Sequence, residues 1–202
     1  MVDREDFDSS VALPPGLEIG QIRRAIEYVQ RQTSDLVEIY YEQKNVFSAI
    51  VGIFGTRALD SVSNYERPKN VHTAQQRFPD LKRRGSGEPP AANDSLESKA
   101  SIRPWELQAH YNHAGWYIVW RYLVDPTETI EPDVSVLVWR VDVAFLTEED
   151  WKYEDSRAGA SGGGRTHTFG VKKPATRFRD CAVYRRQGIR IRDGKPVPEN
   201  GA

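Results

Sequence analysis

Residues 77–102, RFPDLKRRGSGEPPAANDSLESKASI, decide how this chain is read. SLESKASI alternates with period two: Leu96, Ser98, Ala100 and Ile102 point one way, and Glu97, Lys99 and Ser101 point the other. That is the pattern of a strand, and it sets Glu97 and Lys99 on one face. KRRGSGEPPAAND before it, rich in Gly, Pro and charge, reads as a loop. VHTAQQRFPDL, which ends in Pro79-Asp80-Leu81, is a candidate strand. Strand, loop and alternating strand make a hairpin-like turn that returns Asp80 to the side of Glu97.

Upstream, residues 1–12 read as a disordered N-terminus. Leu17, Ile19, Ile22, Ile26 and Val29 then recur near helical spacing. A second helical region over 35–62 carries the apolar stripe Phe47, Ile50, Ile53 and Phe54, and 64–70 is a loop. Downstream, RPWELQAHYNHAG, with Pro104 near its start and Gly115 at its end, predicts a short helix. GWYIVWRYLVD and DVSVLVWRVDVAFL are the strongest strand signals, joined by PTETIEP as a hairpin loop. TEEDWKYED reads as a helix start capped by Thr147, SRAGASGGGR (156–165) as a flexible loop, and THTFGV and DCAVYRR as shorter strands. Residues 196–202 form a tail. The order predicts an α/β fold with a mixed central sheet flanked by helices, its core in 13–155, with basic loops and short strands of 156–195 packed on it.

Composition narrows the function. No apolar run approaches the ~20 residues of a membrane span. The acidic start MVDREDFDSS lacks the apolar core of a secretory signal. Cys181 is the single cysteine, which excludes an internal disulfide and points to a reducing, cytoplasmic setting. The net charge of −1 hides a split: residues 156–195 hold eleven Lys or Arg against two acids, whereas 1–155 hold 17 basic and 26 acidic side chains. A basic segment on an otherwise acidic chain suits an anionic partner, nucleic acid first. No Gly-rich phosphate loop follows a strand and no nucleophile elbow is present, so nucleotide-binding and acyl-transfer readings fall away.

Asp80, Glu97 and Lys99 supply the groups that metal-assisted phosphodiester cleavage needs. Carboxylates are hard oxygen ligands for Mg²⁺, and an ammonium beside them orients the attacking water or stabilises developing charge. Pro79-Asp80, sixteen intervening residues and Glu97-Ser98-Lys99 resemble the motif of the PD-(D/E)XK nuclease superfamily, to which many type II restriction endonucleases belong. The resemblance covers roughly residues 35–145. It implies a restriction-endonuclease-like core in the order helix, three strands, helix, strand. It also implies that Asp80, Glu97 and the backbone carbonyl of Ser98 ligate Mg²⁺ while Lys99 assists the water. In some such sites a further acid from the first helices joins, here Glu38 or Glu42. Ser98 departs from the apolar residue common at that middle position.

Spacing alone does not single this site out. Pro132-Asp133 is followed, again after sixteen residues, by Asp150-Trp151-Lys152, and Glu42-Gln43-Lys44 matches the short half. In a helix Asp150 and Lys152 diverge by about 200°, so they would not face one metal. Glu106, His110 and His113 recur along one face of the expected short helix, where Gln108 or His110 is placed to meet phosphate. Lys82, Arg83 and Arg84 follow Asp80 directly, and Arg165, Lys172, Lys173, Arg177, Arg179, Arg185 and Arg186 populate the basic segment, as expected for phosphate contacts on double-stranded DNA. The expectation is a Mg²⁺-dependent type II restriction endonuclease acting as a homodimer. The alternatives are a repair or recombination nuclease such as a junction resolvase, or a non-catalytic nucleic-acid-binding protein.

Overall fold

The computed structural model describes residues 2–68, 78–158 and 165–199. Helices α1 (Ile19–Ser34), α2 (Val37–Glu42) and α3 (Lys44–Val62) come first. In α1, Ile22, Ala25, Ile26 and Val29 recur at helical spacing and are all buried. Strands β1 (Tyr65–Glu66), β2 (Leu81–Arg83) and β3 (Ser95–Ser101) follow as an antiparallel run, with Leu81 opposite Leu96. The chain then passes through β4 (Gln108–Ala109) to β5 (Gly115–Val124), which runs parallel to β3 with Glu97 beside Tyr117 and Lys99 beside Val119. β6 (Val136–Leu146) returns antiparallel to β5. Next come β7 (Trp151–Ala158), β8 (Arg165–Val171), α4 (Pro174–Arg177) and β9 (Ala182–Arg185), then the hairpin of β10 (Ile189–Arg192) and β11 (Lys195–Pro198). The central sheet has the order β1-β2-β3-β5-β6-β9, and β4-β8-β7 form a smaller one. The class is mixed α/β, with a mixed central sheet and helices against it.

Alternation along the strands divides two cores. Leu96, Ile118 and Trp120 face α1 and α3 and join one apolar cluster. Tyr117, Val119, Ala144 and Leu146 face the other way, against Trp151, Val171 and Phe178 of the smaller sheet and the α4 region. α3 lies tight on β3 and β5 because two of its positions lack side chains. A Cβ on Gly55 would fall 2.2 Å from the Trp120 indole nitrogen, and one on Gly52 would touch the Ser98 carbonyl at 3.7 Å.

Several expectations are corrected. Residues 103–115 form no helix. Their carbonyls instead accept tertiary hydrogen bonds: the buried Arg121 guanidinium donates to Arg103 and Trp105, both at 3.1 Å, and to Glu106. Arg121 is held in turn by Asp142 at 2.8 Å, which Arg140 approaches at 2.5 Å from the other side. TEEDWKYED is a single 3-10 turn that leads straight into β7. Residues 2–12 pack rather than dangle: Val2 is buried, Phe7 bridges to Tyr184, and the Asp8 amide donates to Val183 at 3.0 Å. The tail expected from 196 overlaps β11, closed by Asp193 and Gly194 at φ +50° and +73°, the left-handed pair of a tight hairpin turn. Most of the candidate strand before Pro79, the Gly-rich stretch 159–164 and residues 200–202 lie outside the described residues.

Candidate active site

Asp80 stands one residue before β2, and the Leu81–Leu96 pairing brings it across from Glu97. The two are interlocked. The Asp80 amide donates to Glu97 Oε2 at 3.0 Å, and the Ser98 amide donates to Asp80 Oδ2 at 3.0 Å. Lys99 Nζ donates to Glu97 Oε1 at 2.6 Å. A residue's amide and carbonyl point to the same edge of its strand. The Ser98 carbonyl therefore lies on the edge of β3 that Asp80 occupies. The Ser98 side chain turns the other way, donating to the Gly52 carbonyl at 3.1 Å and accepting from Trp120 Nε1 at 2.9 Å. A hydroxyl is useful where an apolar residue is common: it ties β3 to α3 and β5 directly behind the carboxylates.

Burial sets the electrostatics. Glu97 is 8 % exposed. Burial first, then the negative charge of Asp80, pushes its pKa up to about 7 against the pull of Lys99. Asp80 is also raised, chiefly by burial, with Lys99 opposing. Burial acts to lower Lys99, but the two acids outweigh it and hold its ammonium above the ordinary range. Two acids face one lysine in a poorly hydrated place, and the Arg67 charge also acts on Asp80. Oxygen ligands alone suit a hard divalent cation. Among the described residues no group of three or more His, Cys, Asp or Glu gathers as a metal cluster. Glu38 and Glu42 sit exposed on α2, and neither lines the cleft over the carboxylates.

That cleft, of about 410 Å³, runs between α3, β3 and the 108–113 segment. It shares Ser48, Lys99, Ala100 and Gln108 with a second lobe of about 420 Å³ that Lys44 and Arg103 also line. Glu106 pairs with Arg103, while His110 and His113 both line the first lobe, so the three do not form a histidine-rich centre. Gln108 lines both lobes and donates to Glu154 at 2.8 Å. Four residues went unnoticed in the sequence: Phe78, Tyr111 and Tyr117, which line the cleft, and Arg67, whose charge reaches Asp80 while it donates to the Ile53 carbonyl at 3.4 Å. The β3–β5 register carries Tyr117 to Glu97, a pairing that no local pattern encodes.

The second motif copy does not assemble. Asp133 lies in the β5–β6 turn, and Asp150 follows the far end of the eleven-residue β6, roughly 35 Å away at strand rise. Asp150 accepts from the Thr147 amide at 2.8 Å and pairs with Arg177 at 3.0 Å.

Most of the expected phosphate contacts are already engaged within the protein. Lys82 pairs with Glu88 at 2.7 Å, Arg83 with Asp94 at 2.7 Å, Arg84 with Asp60 at 2.9 Å, and Arg186 with Glu131 at 2.5 Å. Lys172 donates to the Glu149 carbonyl at 2.8 Å. Lys173, Arg179 and Arg185 are exposed, with no ion pair among the described residues. The Arg165 side chain lies outside the described set. Among the described residues no helix is long and apolar enough to cross a membrane. Comparisons with protein-family models, curated proteins and solved structures gave no match.

Proposed function

We propose that this protein is a Mg²⁺-dependent nuclease of the PD-(D/E)XK kind that hydrolyses phosphodiester bonds of double-stranded DNA. The observation that carries the reading is the interlock of Asp80, Glu97 and Lys99 at the floor of a cleft. Asp80, Glu97 and the Ser98 carbonyl would hold the ion, which when bound supplies positive charge to polarise the scissile phosphate and ease deprotonation of water. Lys99, fixed by Glu97, orients the attacking water and faces the charge that develops on phosphate. The Trp120–Ser98–Gly52 bonds keep β3 in place, so these groups need little rearrangement.

We assign the activity to a type II restriction endonuclease in the cytoplasm. It acts as a homodimer whose two-fold axis matches that of a palindromic site, so that each protomer cuts one strand. The protein is incubated with mixed-sequence linear DNA in Mg²⁺ and in EDTA. Discrete fragments in Mg²⁺ and intact DNA in EDTA are expected. Cutting confined to branched junctions would replace the restriction assignment with a resolvase. DNA binding without cutting under any divalent metal would contradict enzymatic function.

A further inference from the structure

The cleft holds a feature that metal-assisted hydrolysis does not use. Four rings step outward from the carboxylates, Tyr117, Phe78, His113 and Tyr111. Their centroids are 6.0, 4.8 and 5.3 Å apart, and successive planes are tilted by only 32°, 32° and 34°. Buried ring pairs elsewhere in the fold are tilted more steeply, Phe47–Tyr122 at 56° and Tyr117–Trp151 at 57°. Here they lie closer to parallel. The inner end is fixed: Tyr117 is buried and its hydroxyl donates to the His113 carbonyl at 3.0 Å. The outer end is open, with Tyr111 52 % exposed and His113 exposed beside it. Burial therefore does not account for the outer two rings.

From this geometry we infer that the cleft binds an unpaired nucleotide of a DNA strand, its base stacked on Tyr111, which His113 backs, and the adjoining phosphate directed to Lys99. Flat aromatic faces beside a cationic groove are how proteins hold unstacked bases, whatever their sequence. Bases inside a duplex present only their edges, so they would leave these faces unused. The cleft's volume of about 410 Å³ falls within the roughly 300–1,000 Å³ of small-ligand sites. Beyond Lys99 the second lobe continues the track, with Lys44 along its wall for the neighbouring phosphate, while Arg103 there is paired with Glu106. The strand thus meets aromatic rings on one side of the carboxylates and cations on the other. The placement of the phosphate rests on the cleavage reading, whereas the stacking of the base does not.

The test is binding in EDTA, so that no cutting intervenes. Fluorescence anisotropy is measured with a single-stranded deoxyoligonucleotide and with the same sequence as a duplex. Tyr111→Ala is expected to weaken single-strand binding on the order of tenfold, from the loss of the stacking face, and His113→Ala by less, from the loss of its backing. Duplex binding should change less than about twofold in the same variants. Tyr41→Ala, an equally exposed ring outside the cleft, should change neither. A 2-aminopurine placed in the strand should be quenched on binding the wild type and less so on binding Tyr111→Ala. Equal single-strand affinity in wild type and the double variant overturns the inference, as does an equal loss on duplex and single strand. Binding through Tyr111 without any cleavage leaves the inference standing and removes the nuclease reading. Cutting that depends on Asp80 and Lys99, with single-strand affinity the same in wild type and Tyr111→Ala, does the reverse.

Discussion

At the scale of single residues, Glu97 is held between opposed demands. Its carboxylate accepts from Lys99 and from the Asp80 amide, yet burial and the Asp80 charge favour its neutral form. The folded protein therefore binds this proton more tightly than the unfolded chain does. The corresponding stability is fully present below the ordinary carboxyl pKa of 4.5 and is lost as pH rises through about 7. In EDTA the melting temperature should fall across that window, and Glu97→Gln should flatten the fall. An unchanged pH profile in Glu97→Gln would sink this account of the charge. Added Mg²⁺ should raise the melting temperature of the wild type at neutral pH and leave Asp80→Ala unmoved. Much of the site was legible because alternation is local: Glu97 and Lys99 share a face whatever the rest of the chain does. Tyr117 was not, because it reaches Glu97 through a parallel register set by packing, and the Phe78–His113 pair was not, because it joins segments far apart in sequence. The engagement of Lys82, Arg83 and Arg84 was not legible either, because their pairing with Glu88, Asp94 and Asp60 depends on how the loop and α3 fold beside β2.

At the scale of elements, two contacts position β3 and β5. The first is α3 against Trp120 at Gly55. Gly55→Ala puts a methyl into the indole and should cost roughly 1–3 kcal/mol by denaturant unfolding. It should also slow any cleavage, because the Trp120–Ser98 bond lies behind the site. A variant as stable and active as wild type would show that this close approach is dispensable. The second is the buried Arg121–Asp142–Arg140 group, which holds the carbonyls of Arg103, Trp105 and Glu106 over the sheet. Asp142→Asn leaves two buried guanidinium groups without a counter-charge and should cost about 3–5 kcal/mol. A loss below about 1 kcal/mol would contradict the role given to it. This group also explains why the Pro104–Gly115 helix signal failed: the carbonyls that a helix would use internally are taken by an arginine from β5. The Asp193-Gly194 turn, by contrast, carried a readable hairpin signal, obscured by the charges and prolines around it.

At the scale of the molecule, the cations split into those neutralised within the fold and those facing solvent. Lys173, Arg179 and Arg185 belong to the second group, and Arg185 lies on β9, three strands or about 14 Å across the sheet from β3. DNA that reaches from the cleft to this edge would release counterions there. Each alanine substitution at these three positions should lower the slope of log K against log salt by about 0.9, whereas Lys82→Ala should not. An unchanged slope in the triple variant would place the DNA elsewhere.

The most direct test of the central claim is single-turnover cleavage of DNA in Mg²⁺ by wild type, Lys99→Ala and Lys152→Ala, the last being the lysine of the unassembled motif copy. Lys99→Ala should cut at least ~100-fold more slowly while still binding DNA, and Lys152→Ala should stay within about twofold of wild type. Wild-type cutting by Lys99→Ala, or a loss that follows Lys152 instead, would contradict the assignment of Asp80, Glu97 and Lys99 as the catalytic group.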